Sequence, residues 1–114
     1  MTRKLTTNLT VGIFSNMKAV ALNRRRVSIT ADAFVEIAVW RVAQPVPPST
    51  HLFKYRLAYV VENECVLRYD NERGKGDHRH FGKRESSYVF STPDQLMSDF
   101  NADIVRWNHE NRRP

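Results

Sequence analysis

The chain has 114 residues and a formal net charge of +6, with an isoelectric point of about 9.9. This length fits a single domain with one hydrophobic core, and the positive charge favours an anionic partner. No apolar run approaches the roughly 20 residues of a membrane span, and the first residues lack the apolar segment of a signal peptide. A single cysteine, Cys65, excludes an internal disulfide framework and a cysteine-based zinc site. We therefore expect a cytoplasmic protein that makes no membrane contact.

The positive charge is concentrated in two segments. Residues 1–26 contain six cations and no acid, and residues 68–84 contain six cations and three acids. Isolated surface charges are ordinary, but two basic segments in one small domain indicate contact with nucleic acid.

The N-terminal residues 1–16 are rich in threonine and asparagine and show no sustained periodicity. We expect them to form a flexible extension, or a short additional strand over residues 9–14. A single domain over residues 17–114 would then follow.

The next part of the chain predicts short strands. Residues 18–22 and 27–30 predict two strands joined by a hairpin turn at residues 23–25, because asparagine tolerates the left-handed turn conformation. Residues 34–43 alternate as a central strand does, with apolar side chains on both faces. Three prolines within residues 45–48 predict an extended connection after it.

A second group of strands follows the prolines. Residues 53–61 and 65–69 predict a hairpin with alternating side chains, in which Cys65 falls on the apolar face and is expected in the core. Residues 68–80 are polar and contain two glycines, which predicts an irregular loop. A short return strand is expected over residues 87–90.

The last element predicted is a helix. Thr92 is a suitable N-cap, Pro93 suits the first helical position and Gln95 completes a capping box. Apolar residues then recur at helical spacing as far as Trp107. Because strands precede one helix without βαβ alternation, we expect an α+β fold. In it, a small antiparallel sheet of about five to six strands in meander order carries the C-terminal helix on one face.

The polar segment of residues 68–80 carries the residue types that RNA cleavage requires. Attack by the 2′-hydroxyl on the adjacent phosphate needs a base, an acid and positive charge near the phosphate. His78 and His80 are the candidate base and acid, because histidine titrates near neutral pH. If their segment is extended, both rings project from the same side. The candidate catalytic residues are His78, His80, Lys75, Asp77, Tyr69 and Asp70. The candidate nucleic-acid-binding residues are Arg56, Arg68, Arg73, Lys75, Arg79 and Lys83.

Other interpretations of the same residues stay open. The segment would serve only as a turn with a solvated surface, or the protein would bind nucleic acid or a partner without cleaving it. A third alternative is a metal-dependent nuclease in which Asp77, His78 and His80, with Asp70, hold the ion. These ligand types suit a metal, but the segment lacks the spacing of strong metal motifs. We therefore assign no metal site and no cofactor.

Four segments stand out in combination: Lys54–Leu57 (KYRL), Arg68–Glu72 (RYDNE), Gly74–His80 (GKGDHRH) and Phe90–Leu96 (FSTPDQL). Together they resemble the TumE family of bacterial toxins, over about residues 17–107 of this chain. The resemblance implies a growth-inhibiting toxin of a type II toxin–antitoxin pair, with ribonuclease activity and a helix-turn-helix antitoxin that neutralises it. The expected partners are RNA, free or on the ribosome, and that antitoxin. The roles given to residues above rest on their chemistry and not on the resemblance.

Overall fold

The computed structural model describes residues 11–14 and 17–114. Seven antiparallel strands form one sheet in which each strand pairs with its neighbour in sequence, and one helix follows them. The predicted α+β class, the meander order and the C-terminal helix are confirmed. Within the described residues, no helix combines the length and apolar character of a membrane span. The elements are β1 (Val11–Phe14), β2 (Met17–Thr30), β3 (Ala33–Val42), β4 (Phe53–Val61), β5 (Glu64–Glu72), β6 (Gly76–Phe81), β7 (Arg84–Ser87) and α1 (Pro93–Glu110).

The two faces of the sheet differ in what covers them. One face carries Ile37, Leu57 and Tyr69, which lie side by side on β3, β4 and β5 and are buried. We call this side the core face, and the opposite side the site face. Burial of one large apolar side chain contributes about 1.5–3 kcal/mol, so these alternating positions fix which way the strands face. The predicted strands over residues 34–43 and 53–61 are confirmed as β3 and β4.

Helix α1 packs on the core face. The Thr92 hydroxyl accepts a hydrogen bond from the Gln95 backbone N–H at 3.1 Å, which satisfies one of the free donors at the helix start. Leu96 and Phe100 are buried against the sheet, and the Trp107 ring meets the Tyr59 ring edge-on with centroids 5.9 Å apart. The predicted start of the helix and its apolar stripe are confirmed.

The hairpin predicted around residues 23–25 is wrong, because β2 is one continuous strand. Asn23, Arg24 and Arg25 pair with residues of β3. Leu22 is an extra, unpaired residue at a register shift, and pairing with β3 continues on both sides of it. The long strand β3 offers a backbone partner at each of these positions, and this pairing outweighs the turn preference of a single asparagine.

The irregular loop predicted over residues 68–80 is also wrong. Strand β5 continues to Glu72 and β6 begins at Gly76, so the polar segment is a hairpin with a tight turn. Gly74 and Gly76 adopt positive φ angles of 87° and 78°, which side chains disfavour. A Cβ on Gly76 would lie 3.1 Å from Cγ of Pro48, so the proline connection also leaves little room for a side chain at this position.

The strand predicted over residues 87–90 lies earlier in the chain. The structure has β7 at Arg84–Ser87, paired with β6, and residues 88–90 are outside any strand. Tyr88 and Phe90 instead pack against the core. Their apolar character therefore reflects burial and not strand alternation.

Cys65 is exposed, so its predicted place in the core is wrong. The register between β4 and β5 shifts at this point, with Tyr59 opposite Leu67 but Val60 opposite Cys65. The extra residue, Val66, turns Cys65 to the side of the sheet opposite Leu67.

The predicted extension over residues 1–16 falls mostly outside the described residues. Of this range the structure describes only residues 11–14, which form β1 and pair with β2.

Candidate active site on the open face of the sheet

Two adjacent rows of side chains cross the site face. The register places each residue of a row beside its neighbour on the next strand, and the two rows lie two residues apart along every strand. Both rows cross the β5–β6 hairpin, where they bring two histidines together. From β2 to β7, the first row contains Arg24, Ala38, Arg56, Asp70, His78 and Ser87, and the second contains Arg26, Glu36, Ala58, Arg68, His80 and Glu85.

His78 is held between two oxygen atoms. Its ring is buried, with Nδ1 2.9 Å from the carbonyl oxygen of Gly76 and Nε2 2.7 Å from Oδ1 of Asp70. A carbonyl oxygen only accepts hydrogen bonds, so Nδ1 carries a proton and donates it there. This contact fixes the ring and directs Nε2 towards Asp70.

The close approach of His78 to Asp70 is not a well-aligned hydrogen bond. Asp70 Oδ1, His78 Nε2 and Arg68 Nε are buried and have no hydrogen-bond partner among the described residues, although Arg68 Nε lies 3.2 Å from Asp70 Oδ2. Because hydrogen bonds weaken steeply when misaligned, these short distances do not make strong hydrogen bonds. Buried polar atoms that lack partners are costly in a stable fold and are common where a ligand or proton is handled.

His80 lies beside His78 and is more exposed. Its ring centroid is 5.2 Å from that of His78, and Nε2 accepts a hydrogen bond from Nη2 of Arg68 at 2.8 Å. Burial, together with the positive charge of Arg68, lowers the pKa of His80 below its usual value. His80 is therefore uncharged at neutral pH, with a lone pair on Nε2.

The carboxylate of Glu85 marks the point on which three nitrogen atoms converge. Its Oε2 lies 3.3 Å from His80 Nε2, 3.6 Å from His78 Nε2 and 3.4 Å from Lys75 Nζ. Glu85 is a half-exposed residue of the edge strand β7. A small anion that displaced this carboxylate would therefore meet both histidines and a lysine.

Cations surround this point along both rows. Arg56 is half-exposed and lies 3.8 Å from Glu36, a distance typical of a weak surface pair. At the far end of the rows, the guanidinium groups of Arg24 and Arg26 lie over the aromatic rings of Trp40 and Phe34, at 5.4 and 3.7 Å. Positive groups interleaved with aromatic rings are typical of surfaces that bind single-stranded nucleic acid.

Two of the predicted site residues, Tyr69 and Arg79, lie on the core face. The Tyr69 hydroxyl donates to Asp103 of α1 at 2.7 Å, and the Arg79 guanidinium binds the same carboxylate through two hydrogen bonds of 2.6 and 2.9 Å. Burial and the hydrogen bond to Asp103 raise the pKa of the Tyr69 phenol. Both residues join the sheet to the helix.

Asp77 also lies away from the two histidines, within a saturated network. It accepts hydrogen bonds from Ser49 at 2.5 Å, Tyr55 at 2.6 Å and His51 at 2.7 Å. His51 Nδ1 accepts from the Phe53 backbone N–H, so Nε2 is the nitrogen that donates to Asp77. The network ties the proline connection to the β5–β6 hairpin. No motif in the sequence predicts that His51 takes part in it.

The remaining predicted residues lie in turns or near them. Arg73 and Lys75 belong to the β5–β6 turn and Lys83 to the β6–β7 turn, and all three are exposed. Of these, Lys75 contacts the site through Glu85.

Three contributors to the site were missed in the sequence, namely Glu85, Arg24 and Arg26. The spacing of the polar residues is the signal that could have predicted the β5–β6 hairpin. Arg68, Asp70, His78 and His80 are all even-numbered, as expected for one face of two paired strands.

The sequence matches the family described as Toxin TumE over residues 11–108. The chain belongs to the TumE toxin family. Membership implies that it is the toxin of a toxin–antitoxin system, with a cognate antitoxin as its partner. No curated protein and no solved structure matches this TumE toxin.

Proposed function

We propose that this TumE toxin acts on RNA and cleaves it at the site face without a metal ion. The observation that supports this most directly is the convergence of His78, His80 and Lys75 on the carboxylate of Glu85. A phosphate is the anion that such a group of nitrogen atoms suits, and the cationic rows on either side would follow an RNA backbone.

In the proposed mechanism, an RNA phosphate takes the place of the Glu85 carboxylate. His80, neutral and with a free lone pair once Arg68 turns to the phosphate, removes the proton of the 2′-hydroxyl. The 2′-oxygen then bonds to phosphorus as the bond from phosphorus to the 5′-oxygen breaks, which leaves a cyclic phosphate. His78, whose ring the Gly76 carbonyl holds, donates a proton from Nε2 to the departing 5′-oxygen, and the Asp70 carboxylate faces that nitrogen at 2.7 Å. Lys75 and Arg68 stabilise the negative charge that develops on the phosphorus oxygens. Arg56 and, further along the rows, Arg24 and Arg26 would hold the flanking nucleotides.

Labelled RNA incubated with the purified protein in EDTA tests this proposal. We expect cleavage by the wild type and loss of cleavage in His80→Gln and in His78→Gln. His109→Gln is the matched control, because it removes an exposed histidine on α1 and should leave cleavage unchanged. Circular dichroism melting curves would show that each variant is folded.

Two results would contradict the proposal in different ways. Cleavage that requires an added divalent ion would replace it with a metal-dependent nuclease. Absence of cleavage on free RNA and on translating ribosomes, with growth inhibition intact, would indicate a toxin that blocks its target by binding.

A further inference from the structure

We propose that Asp70, His78 and His80 form a binding site for one divalent transition-metal ion of the Zn²⁺ type, and that the bound ion inhibits the toxin. Binding of the ion stands on geometry alone. Inhibition rests on the proposed function, because it assumes that the two histidines act on RNA.

The first observation is the convergence of ligand atoms. One ligand atom from each of the three side chains lies within 4.8 Å of the other two. Two ligands of a tetrahedral zinc ion lie about 3.3–3.6 Å apart, given metal–ligand distances of about 2.0–2.2 Å. Binding therefore requires the partly exposed His80 ring to turn inward and Asp70 Oδ1 and His78 Nε2, now 2.7 Å apart, to separate.

The second observation is the state of the buried atoms. Asp70 and His78 are each only 5% exposed, and Asp70 Oδ1 and His78 Nε2 have no hydrogen-bond partner among the described residues. These two atoms face each other at 2.7 Å. Two atoms that present lone pairs at this distance repel each other unless a proton or a cation lies beside them.

The third observation is the orientation of His78. Its Nδ1–H donates to the backbone carbonyl of Gly76, which leaves Nε2 as the free nitrogen. Metal-binding histidines almost always make this kind of contact with the nitrogen that does not bind the metal. Two imidazoles and one carboxylate are also a donor set that zinc commonly takes, with a fourth position open.

Arg68 occupies the place of the cation in this structure. Its guanidinium lies 3.2 Å from Asp70 Oδ2 and 2.8 Å from His80 Nε2, so it contacts two of the three ligand residues. The side chain is 29% exposed, which leaves room for it to turn outward when an ion binds. Arg68 therefore competes with the ion, and its removal should strengthen metal binding.

Inhibition follows from the atoms that the ion would use. A metal ion bound to Nε2 of both His78 and His80 removes the proposed base and the proposed acid together. It also holds a positive charge that attracts Glu85 to the fourth position, where an RNA phosphate is expected to bind.

Cobalt titration of the untagged, EDTA-stripped full chain tests the site without RNA. Co²⁺ reports its own coordination by visible absorption, and Zn²⁺ should displace it at one ion per chain. We expect Asp70→Asn and His80→Gln each to weaken binding at least about tenfold. We expect Arg68→Gln to strengthen it, and His109→Gln to leave it unchanged.

Two outcomes would overturn the site. One is that the wild type binds no Co²⁺ or Zn²⁺ while melting curves show it folded. The other is that His80→Gln binds the ion as tightly as the wild type, because the ion then lies elsewhere. If Arg68→Gln weakened binding, the competition between the guanidinium and the ion would be wrong.

A cleavage assay with added Zn²⁺ separates this inference from the proposed function. Metal binding by a protein that never cleaves RNA would retain the site and overturn the proposed function. Cleavage in EDTA by a protein that binds no metal would do the reverse. Cleavage that EDTA abolishes and Zn²⁺ restores would overturn inhibition while retaining the site.

Discussion

The β5–β6 hairpin presents two polar surfaces that differ in how completely their hydrogen bonds are made. On the core face, Asp77 accepts three hydrogen bonds, and Asp103 binds both Tyr69 and Arg79. On the site face, Asp70 and His78 approach each other without an aligned hydrogen bond. The same two strands supply both surfaces through alternate residues.

Under the proposed function, this difference separates the polar residues that serve stability from those that serve chemistry. A satisfied buried network rigidifies the fold, and removal of one member leaves the others unpaired. A close but unsatisfied group has lost free energy in the folded state, which a ligand, ion or proton can restore. We therefore expect substitutions on the core face to change stability and substitutions on the site face to change activity.

The largest contrast is expected between two histidines. His80→Gln should lower the rate of RNA cleavage by about 10²- to 10⁴-fold, as the loss of a general base does, with little change in stability. His51→Gln should leave cleavage per folded molecule unchanged and cost about 1 kcal/mol, because Asp77 loses one donor. Single-turnover cleavage and urea unfolding of both variants measure the two effects. Equal loss of cleavage in both would remove the distinction between the faces.

The next effect concerns the apolar part of the core face. Phe100 is only 1% exposed between α1 and the sheet, so Phe100→Ala should lower the free energy of unfolding by about 3–5 kcal/mol. Arg56→Ala on the site face should change it by less than about 0.5 kcal/mol. Urea denaturation followed by circular dichroism provides the comparison. A small effect of Phe100→Ala would mean that the helix contributes little to the core.

Two arginines on the same hairpin provide a third test. Arg79→Met leaves the buried Asp103 without its charged partner and should cost about 1–3 kcal/mol, a value reduced because Arg79 is partly exposed. Arg68→Met should instead slow RNA cleavage and cost less stability than Arg79→Met, because the contact of Arg68 Nε with Asp70 is not an aligned hydrogen bond. Denaturation and cleavage assays on both proteins check this pair. If Arg79→Met mainly slowed cleavage and Arg68→Met mainly lowered stability, the assignment of these residues to the two faces would be wrong.

Acid titration tests the saturated network. Burial raises the pKa of Asp77, but hydrogen bonds from Ser49, Tyr55 and His51 together lower it by more than burial raises it. The pKa of Asp77 therefore lies below its ordinary value of 3.8. A pKa lower in the folded than in the unfolded chain stabilises the fold above the unfolded value, and this stability is lost as pH falls through the folded value. Between about pH 5 and 2, wild-type stability should therefore fall more steeply than that of Asp77→Asn. Parallel slopes would show that the network does not depend on the Asp77 charge.

The smallest effect is expected at Glu85. If its carboxylate occupies the phosphate position, Glu85→Gln should bind a 2′-O-methyl RNA about two- to fivefold more tightly at low salt, because a repulsive charge is removed. Fluorescence anisotropy at two salt concentrations measures this. Glu64→Gln is the control. Glu64 is the first residue of β5 and is exposed, and its substitution should change RNA affinity less than Glu85→Gln does. Weaker binding by Glu85→Gln would place the phosphate elsewhere.

The sequence predicted the elements whose signals are local. Strands β3 and β4 alternate clearly, and the capping residues from Thr92 place the start of α1. The β5–β6 hairpin was missed because its residues are polar and include glycines, which resemble a loop when each residue is considered alone. Only the pairing with β4 and β7 makes these residues a sheet, and that pairing is not local.

Only part of the candidate site can be predicted from the sequence, because the rest depends on the same non-local pairing of strands. His78, His80 and Asp70 were named from residue types, but their contact with Glu85 depends on the register between β6 and β7. Tyr69, Asp77 and Arg79 fall on the other face by alternation, which follows only once the segment is known to be a strand. The exposure of Cys65 depends on a register shift between β4 and β5, which the residue types in this segment do not predict.

The order of the strands has a consequence for synthesis of the chain on the ribosome. Each strand pairs with the one made just before it, so the hairpins can form in turn as the chain emerges. Except for the connection of residues 43–52, short loops between the strands favour rapid closure. Helix α1 is the last element made, and until then the apolar side chains of the core face have no cover. We therefore expect nascent chains that end before Pro93 to be unstable and nontoxic, so that growth inhibition begins only when translation of α1 is complete.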